Sequence, residues 1–173
     1  MPDSRIVSAV FARVSEPGTA GAVFGCPMLA AVAGLVDAHR RFAAAHPSWD
    51  DLVPARLPGG GGPELPETDP FLGIWDDAQR HVLAVDREAH RILDEPDIGA
   101  VEHHEGLGAV FGRMAHLYTV SFDRFVLDGP LAPNRRQLAR AYISYETLAG
   151  ELVCGKRCLP PLSGRPRADD IDG

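Results

Sequence analysis

The sequence predicts an all-α protein: an antiparallel bundle of four main helices with a long Gly/Pro-rich loop. Three observations predict it. Apolar residues recur at the helical period in four separate segments. No two segments read as a convincing strand pair. The richest Pro/Gly stretch, residues 54–70, falls between two of the periodic segments. The chain of 173 residues, 45% hydrophobic and 24% charged, is long enough for one domain with a real core. Residues 1–160 are read as that single domain, with 161–173 as a loose polar tail.

Residues 5–14, RIVSAVFARV, are too few for periodicity to separate helix from strand. Pro27 suits a first helical position. From there Met28, Leu29, Val32, Leu35, Val36, Phe42 and Ala43 carry a helix to Ala45. His39 falls inside that stripe, with Asp37, Arg40 and Arg41 on the other side. HPSWDDLVP reads as a turn whose Trp49 and Leu52 pack back. Residues 54–70 hold five prolines and four consecutive glycines, so no regular element is expected there. A loop of that length is either disordered or functional, for instance as a lid.

The next helix is expected from Pro70 to Asp94, on the stripe Phe71, Ile74, Trp75, Ala78, Val82, Val85, Ala89, Ile92 and Leu93. Asp86 and His81 border it. A glycine-bearing helix is expected from Asp97 to Leu127, then a turn, DGPLAPN. A last helix from Asn134 to Cys154 turns Leu138, Tyr142, Tyr145, Leu148 and Leu152 inward.

Charge narrows the function classes. The net charge is −7 and no Lys/Arg cluster stands out. That argues against nucleic acid, which needs a basic footprint, and against an anionic membrane surface. No apolar run reaches the ~20 residues of a membrane helix. The N-terminus lacks a secretory pattern, so a cytoplasmic location is the default expectation. Three cysteines, Cys26, Cys154 and Cys158, do not form a disulfide framework. Cys154 and Cys158 lack the companions of a structural zinc site, which leaves their role open. No phosphate-binding loop, dinucleotide fingerprint or nucleophile elbow is present.

The stretch 102–116, EHHEGLGAVFGRMAH, carries the candidate chemistry. Read as helix at about 100° per residue, it puts His103, Leu107, Val110, Phe111, Met114, Leu117, Tyr118 and Phe125 on one apolar stripe. Glu105, Gly108, Ala109, Gly112, His116 and Asp123 fall roughly opposite. That second face is small rather than charged, so the helix is expected to be central and contacted from several sides. Gly108 and Gly112 leave a groove, filled either by a tight helix crossing or by a ligand.

Four pieces of the chain resemble the domain-of-unknown-function family 4254, especially its actinobacterial-type members. CPMLAAVAGLVDAHRRFA looks like that family's first helix. AQRHVLAVDREAHRIL is similar to its second, and HHEGLGAVFGRMA to its central stretch of the form His-x-Glu-x-x-Gly-x-Val-x-x-Arg-Leu-Ala. YETLAGELVCGKRCLP looks like its closing helix. The likeness covers most of residues 26–160 in order, and on it His39, Asp86, His103, Glu105, Gly108 and Arg113 match. Gly112 departs, since the resemblance implies an acid there. The resemblance implies an all-α fold and no reaction.

Glu105 and His103 are the candidate acid–base pair, because a carboxylate and an imidazole can both be tuned towards neutral pH. Arg113, His39, Asp86, His116, Gly108 and Gly112 are the candidate substrate-binding residues, with Arg113 able to grip a carboxylate or phosphate bidentately. On one helix Glu105 and Arg113 would stand about 12 Å apart. Each would then need a partner elsewhere, such as His39, Asp86 or Tyr142. Adjacent His103 and His104 would point about 100° apart and could not share an ion. Glu102 and Glu105 could, but the paired Glu-x-x-His pattern is missing, so no metal and no cofactor are expected. The expected function is a cofactor-independent enzyme that rearranges, cyclises or eliminates on a small organic molecule by acid–base chemistry. The competing class is a non-catalytic bundle that binds a partner protein or small ligand, with a homodimer as one form.

Overall fold

The computed structural model describes residues 1–14, 25–45, 70–122 and 131–162. Those residues are mostly helical: α1 (Ser4–Val14), α2 (Pro27–Ala45), α3 (Pro70–Ile92), α4 (Leu107–Phe122) and α5 (Leu131–Val153). Two short strands, β1 (Val101–Glu102) and β2 (Arg157–Cys158), pair in parallel. The expected Gly/Pro-rich loop, the Trp49/Leu52 turn, Phe125 and the C-terminal tail lie outside the described residues.

The ambiguous segment at the N-terminus is a helix because a cap starts it. Asp3 Oδ1 accepts from the backbone N–H groups of Arg5 and Ile6 at 2.6 and 3.2 Å, satisfying donors that a first turn leaves open. Val7, Val10 and Phe11 then share one buried face. α2 spans the range its proline and stripe predict. The C-terminus of α5 is closed by Gly155 at φ 71°. Lys156 N–H reaches Glu151 O at 2.9 Å and Gly155 N–H reaches Leu152 O at 3.2 Å, the pair of hydrogen bonds that ends a glycine-terminated helix.

α4 is central, as its small second face predicts, packing against α2, α3 and α5. Leu107, Phe111, Met114 and Ala115 are fully buried, together with Phe11, Met28, Val32, Leu35, Val36 and Val85. The α3 stripe is only partly inward. Val85 and Ala89 are buried, whereas Trp75 is 58% exposed and Ile92 39%. The α period alone overstates the width of the buried face.

The largest correction concerns where α4 begins. It starts at Leu107, not Asp97. Asp97–Ala100 form a turn, closed by Ala100 N–H to Asp97 O at 2.9 Å, with Gly99 at φ 87°. That left-handed backbone suits glycine and interrupts any helix. Val101 N–H then bonds Lys156 O at 3.2 Å, and His103 N–H bonds Cys158 O at 2.8 Å. The EHHE residues therefore sit on a connector pinned to the segment after α5, and His103 is not one turn below Leu107.

Gly106, the residue before α4, has no side chain to cap it. The cap comes from α3: Asp86 Oδ1 accepts from Gly108 N–H at 2.7 Å. A Cβ on Gly106 would lie 2.5 Å from Asp86 Oδ1, so glycine admits the carboxylate. Burial nevertheless raises the Asp86 carboxyl above its ordinary range, with the Gly108 hydrogen bond and nearby His90 opposing that rise. Replacing Asp86 with Ala should cost about 0.5–2 kcal/mol, the range for losing a helix cap. Urea denaturation would measure it, and an unchanged midpoint would show that the bond contributes nothing.

Candidate functional site

The predicted site residues fall into three neighbourhoods. The first is the connector and the α4 face beside it. Here Arg113 Nη1 and Nη2 donate to Glu105 Oε2 and Oε1 at 2.9 and 2.6 Å. The eight-residue separation was expected to keep this pair apart. It does not, because Glu105 lies off the helix and its side chain reaches along α4. The Arg113 guanidinium holds the Glu105 carboxyl below the usual glutamate range, against a smaller opposing effect of burial. The side chain of Glu105 is 18% exposed and that of Arg113 54%.

His103 joins this pair through the backbone. Its Nδ1 lies 2.8 Å from Glu105 O. A carbonyl only accepts, so Nδ1 carries the hydrogen and the neutral ring keeps its lone pair on Nε2. The longer approach of Glu105 N–H to the same Nδ1, at 3.4 Å, is then a contact rather than a competing bond. His104 stands beside it, with ring centroids 4.5 Å apart and its Nε2 3.6 Å from Glu105 Oε1.

Between α4 and α5 lies a cavity of about 350 Å³ that His103, Glu105 and Arg113 line. Sequence reasoning missed its opposite wall, which α5 supplies. Arg140, Gln137 and Ser144 bring polar groups, and Tyr145 brings a buried ring whose hydroxyl donates to Pro2 O at 2.5 Å. Val110, Met114, Leu117 and Leu148 make the apolar part. Among the described residues Arg140 has no hydrogen-bond or ion-pair partner. The signal that could have found it is spacing: Gln137, Arg140 and Ser144 recur at helical intervals beside the inward stripe of α5.

The second neighbourhood is the Asp86 cap described above, where Gly108 also belongs. A Cβ on Gly108 would meet Val82 O at 2.2 Å and Val82 C at 2.7 Å. This end of the glycine groove is filled by the α3 backbone, so it holds a helix crossing. Gly112 is different, since a Cβ there meets only Val82 Cγ2 at 3.9 Å.

The third neighbourhood holds His39 and His116, with ring centroids 5.5 Å apart. Burial lowers the His39 pKa to about 4; repulsion from His116 adds to this, and a hydrogen bond to the Gly112 backbone opposes it. Neither histidine lines the α4–α5 cavity. His39, His116, Asp86 and Gly108 thus stand away from the cavity that Glu105, His103 and Arg113 share. No helix among the described residues is long and apolar enough to cross a membrane. No protein-family model matches the chain, and no match was found among curated proteins or solved structures.

Proposed function

We propose that the protein takes a small organic anion into the α4–α5 cavity and acts on it by acid–base chemistry, with His103 as the proton carrier. The observation that carries this reading is charge. The guanidinium of Arg113 is neutralised by Glu105, while that of Arg140 has no partner among the described residues, so the cavity lining keeps a surplus positive charge. An arginine in such a lining favours a carboxylate or phosphate, and the apolar residues beside it suit the ligand's carbon body. His103 supports the chemical half, because its locked Nδ1–H leaves Nε2 able to accept a proton. In this reading Glu105 positions Arg113 rather than serving as the base, since a carboxyl held ionised by arginine is a weak one.

The scaffold in this reading is an antiparallel bundle of the four long helices with α1 added. The order of contacts supports it. Arg41 meets Asp77 and Gly34 meets His81 between α2 and α3. Asp86 meets Gly108 and Val82 meets Gly112 between α3 and α4. Phe111 meets Tyr145 and Phe122 meets Arg135 between α4 and α5. We also propose kinship with family 4254. Four of the residues that carry the resemblance pair off in space, Asp86 with Gly108 and Glu105 with Arg113.

Calorimetric titration with a panel of short carboxylic acids and phosphate esters tests the binding half. Arg140→Gln should weaken the best ligand by about tenfold or more, the worth of a charge-assisted hydrogen bond. Its melting temperature should not move. Unchanged affinity would remove the anion from this cavity. His103→Gln tests the chemical half: turnover should vanish while binding remains. Binding with no turnover in the native chain would instead leave a non-catalytic ligand-binding bundle.

A further inference from the structure

The connector before α4 places three metal-ligating side chains side by side, where a helix would have separated them. We propose that His103, His104 and Glu105 hold one divalent late first-row ion, Zn²⁺ or an ion of similar chemistry, at the edge of the α4–α5 cavity. One ring nitrogen of each histidine and one carboxylate oxygen of Glu105 already lie within 4.8 Å of one another. Donors on a tetrahedral zinc stand roughly 3.3 Å apart, given bonds of about 2.0–2.1 Å. The His104 Nε2 to Glu105 Oε1 distance, 3.6 Å, is close to that value.

The rest of the set can close with little movement. The backbone is fixed by the His103 N–H to Cys158 O bond and by the β1–β2 pairing. His104 is 81% exposed, so its ring is free to rotate towards the other two donors. The Nδ1–H of His103, bonded to Glu105 O at 2.8 Å, is the kind of outer hydrogen bond that orients metal-binding imidazoles, so Nε2 is the nitrogen that must turn to the ion. Arg113 fixes the Glu105 carboxylate, and each of its oxygens keeps a further lone pair. The arginine's charge also opposes a cation, so the site should be weaker than an isolated three-ligand zinc site.

Two imidazoles and one carboxylate select zinc, nickel, cobalt or copper over magnesium and calcium. Three protein ligands leave a position for water or for an acid group of a cavity ligand. An ion on His103 Nε2 takes the lone pair that the acid–base reading uses, so the two readings describe the metal-loaded and the metal-free chain; the ion is tested by itself, and either reading can fail without the other. Zn²⁺ titrated by calorimetry into the chelator-treated full chain at neutral pH should bind as one equivalent with micromolar affinity. His104→Ala should weaken that binding at least tenfold and leave the melting temperature of the metal-free protein unchanged. Cys154→Ser/Cys158→Ser should bind as the native chain does. No binding at millimolar Zn²⁺, equal affinity in His104→Ala, or loss of binding in the cysteine variant would each overturn the proposal.

Discussion

Gly108→Ala is expected to destabilise the protein by roughly 1–3 kcal/mol, although alanine is the better helix former by about 1 kcal/mol. The reason is what a Cβ would meet: Val82 O at 2.2 Å, C at 2.7 Å and Cα at 2.8 Å. These are backbone atoms of α3, so no rotamer change relieves the clash. Helix α3 or α4 must shift, and the shift would disturb the Asp86 cap on Gly108 N–H as well. Gly112, one turn on, should behave in the opposite way. A Cβ there makes ordinary contact with Val82 Cγ2 at 3.9 Å. Gly112→Ala should therefore stabilise the protein by up to about 1 kcal/mol through helix propensity. Urea melts of the two variants side by side would check the pair. Equal effects would mean that the α3–α4 crossing is looser than the contact distances imply.

The two glycines show what the sequence can and cannot reveal. Their spacing marked α4 as a helix approached closely, and that holds. It could not say which glycine is filled, because that depends on the position of Val82 on another element. The helical segments were legible for the same reason that α2 matches its expected range: periodicity is a local signal. The start of α4 was not. The angular arithmetic from His103 onward fits a helix, and the expected helix extends back to Asp97, but Gly99 and the β1–β2 pairing with Arg157 and Cys158 override it. That pairing joins residues far apart in the chain, which no local pattern encodes. Its consequence reaches the candidate site. Glu105 and Arg113 can pair only because Glu105 is off the helix, and Arg140 enters only through the packing of α5.

Stability is expected to fall as the pH drops from about 6.5 to 4, and His39 is the principal cause. Burial, with His116 adding to it, lowers the folded pKa of His39 to about 4 from an ordinary value of 6.5. The unfolded chain therefore binds the proton more readily than the folded one. The contribution of His39 to stability is full above pH 6.5 and is lost progressively as the pH falls towards 4. The shift corresponds to at most roughly 3–4 kcal/mol, and the solvent that His39 still meets reduces this to roughly 1–2 kcal/mol. His81, packed over Gly34, is also lowered by burial and acts with the same sign. Asp86 opposes them. Its raised folded pKa means that the folded state takes its proton first, so acid restores some stability through that group. Urea denaturation at several pH values between about 7 and 4, on the native chain and on His39→Gln, separates these contributions. Glutamine can keep a hydrogen bond to the Gly112 backbone without titrating, so the variant should lose less stability across the window. If both proteins lose stability in parallel, the acid sensitivity belongs to other groups and the burial of His39 carries no pH dependence.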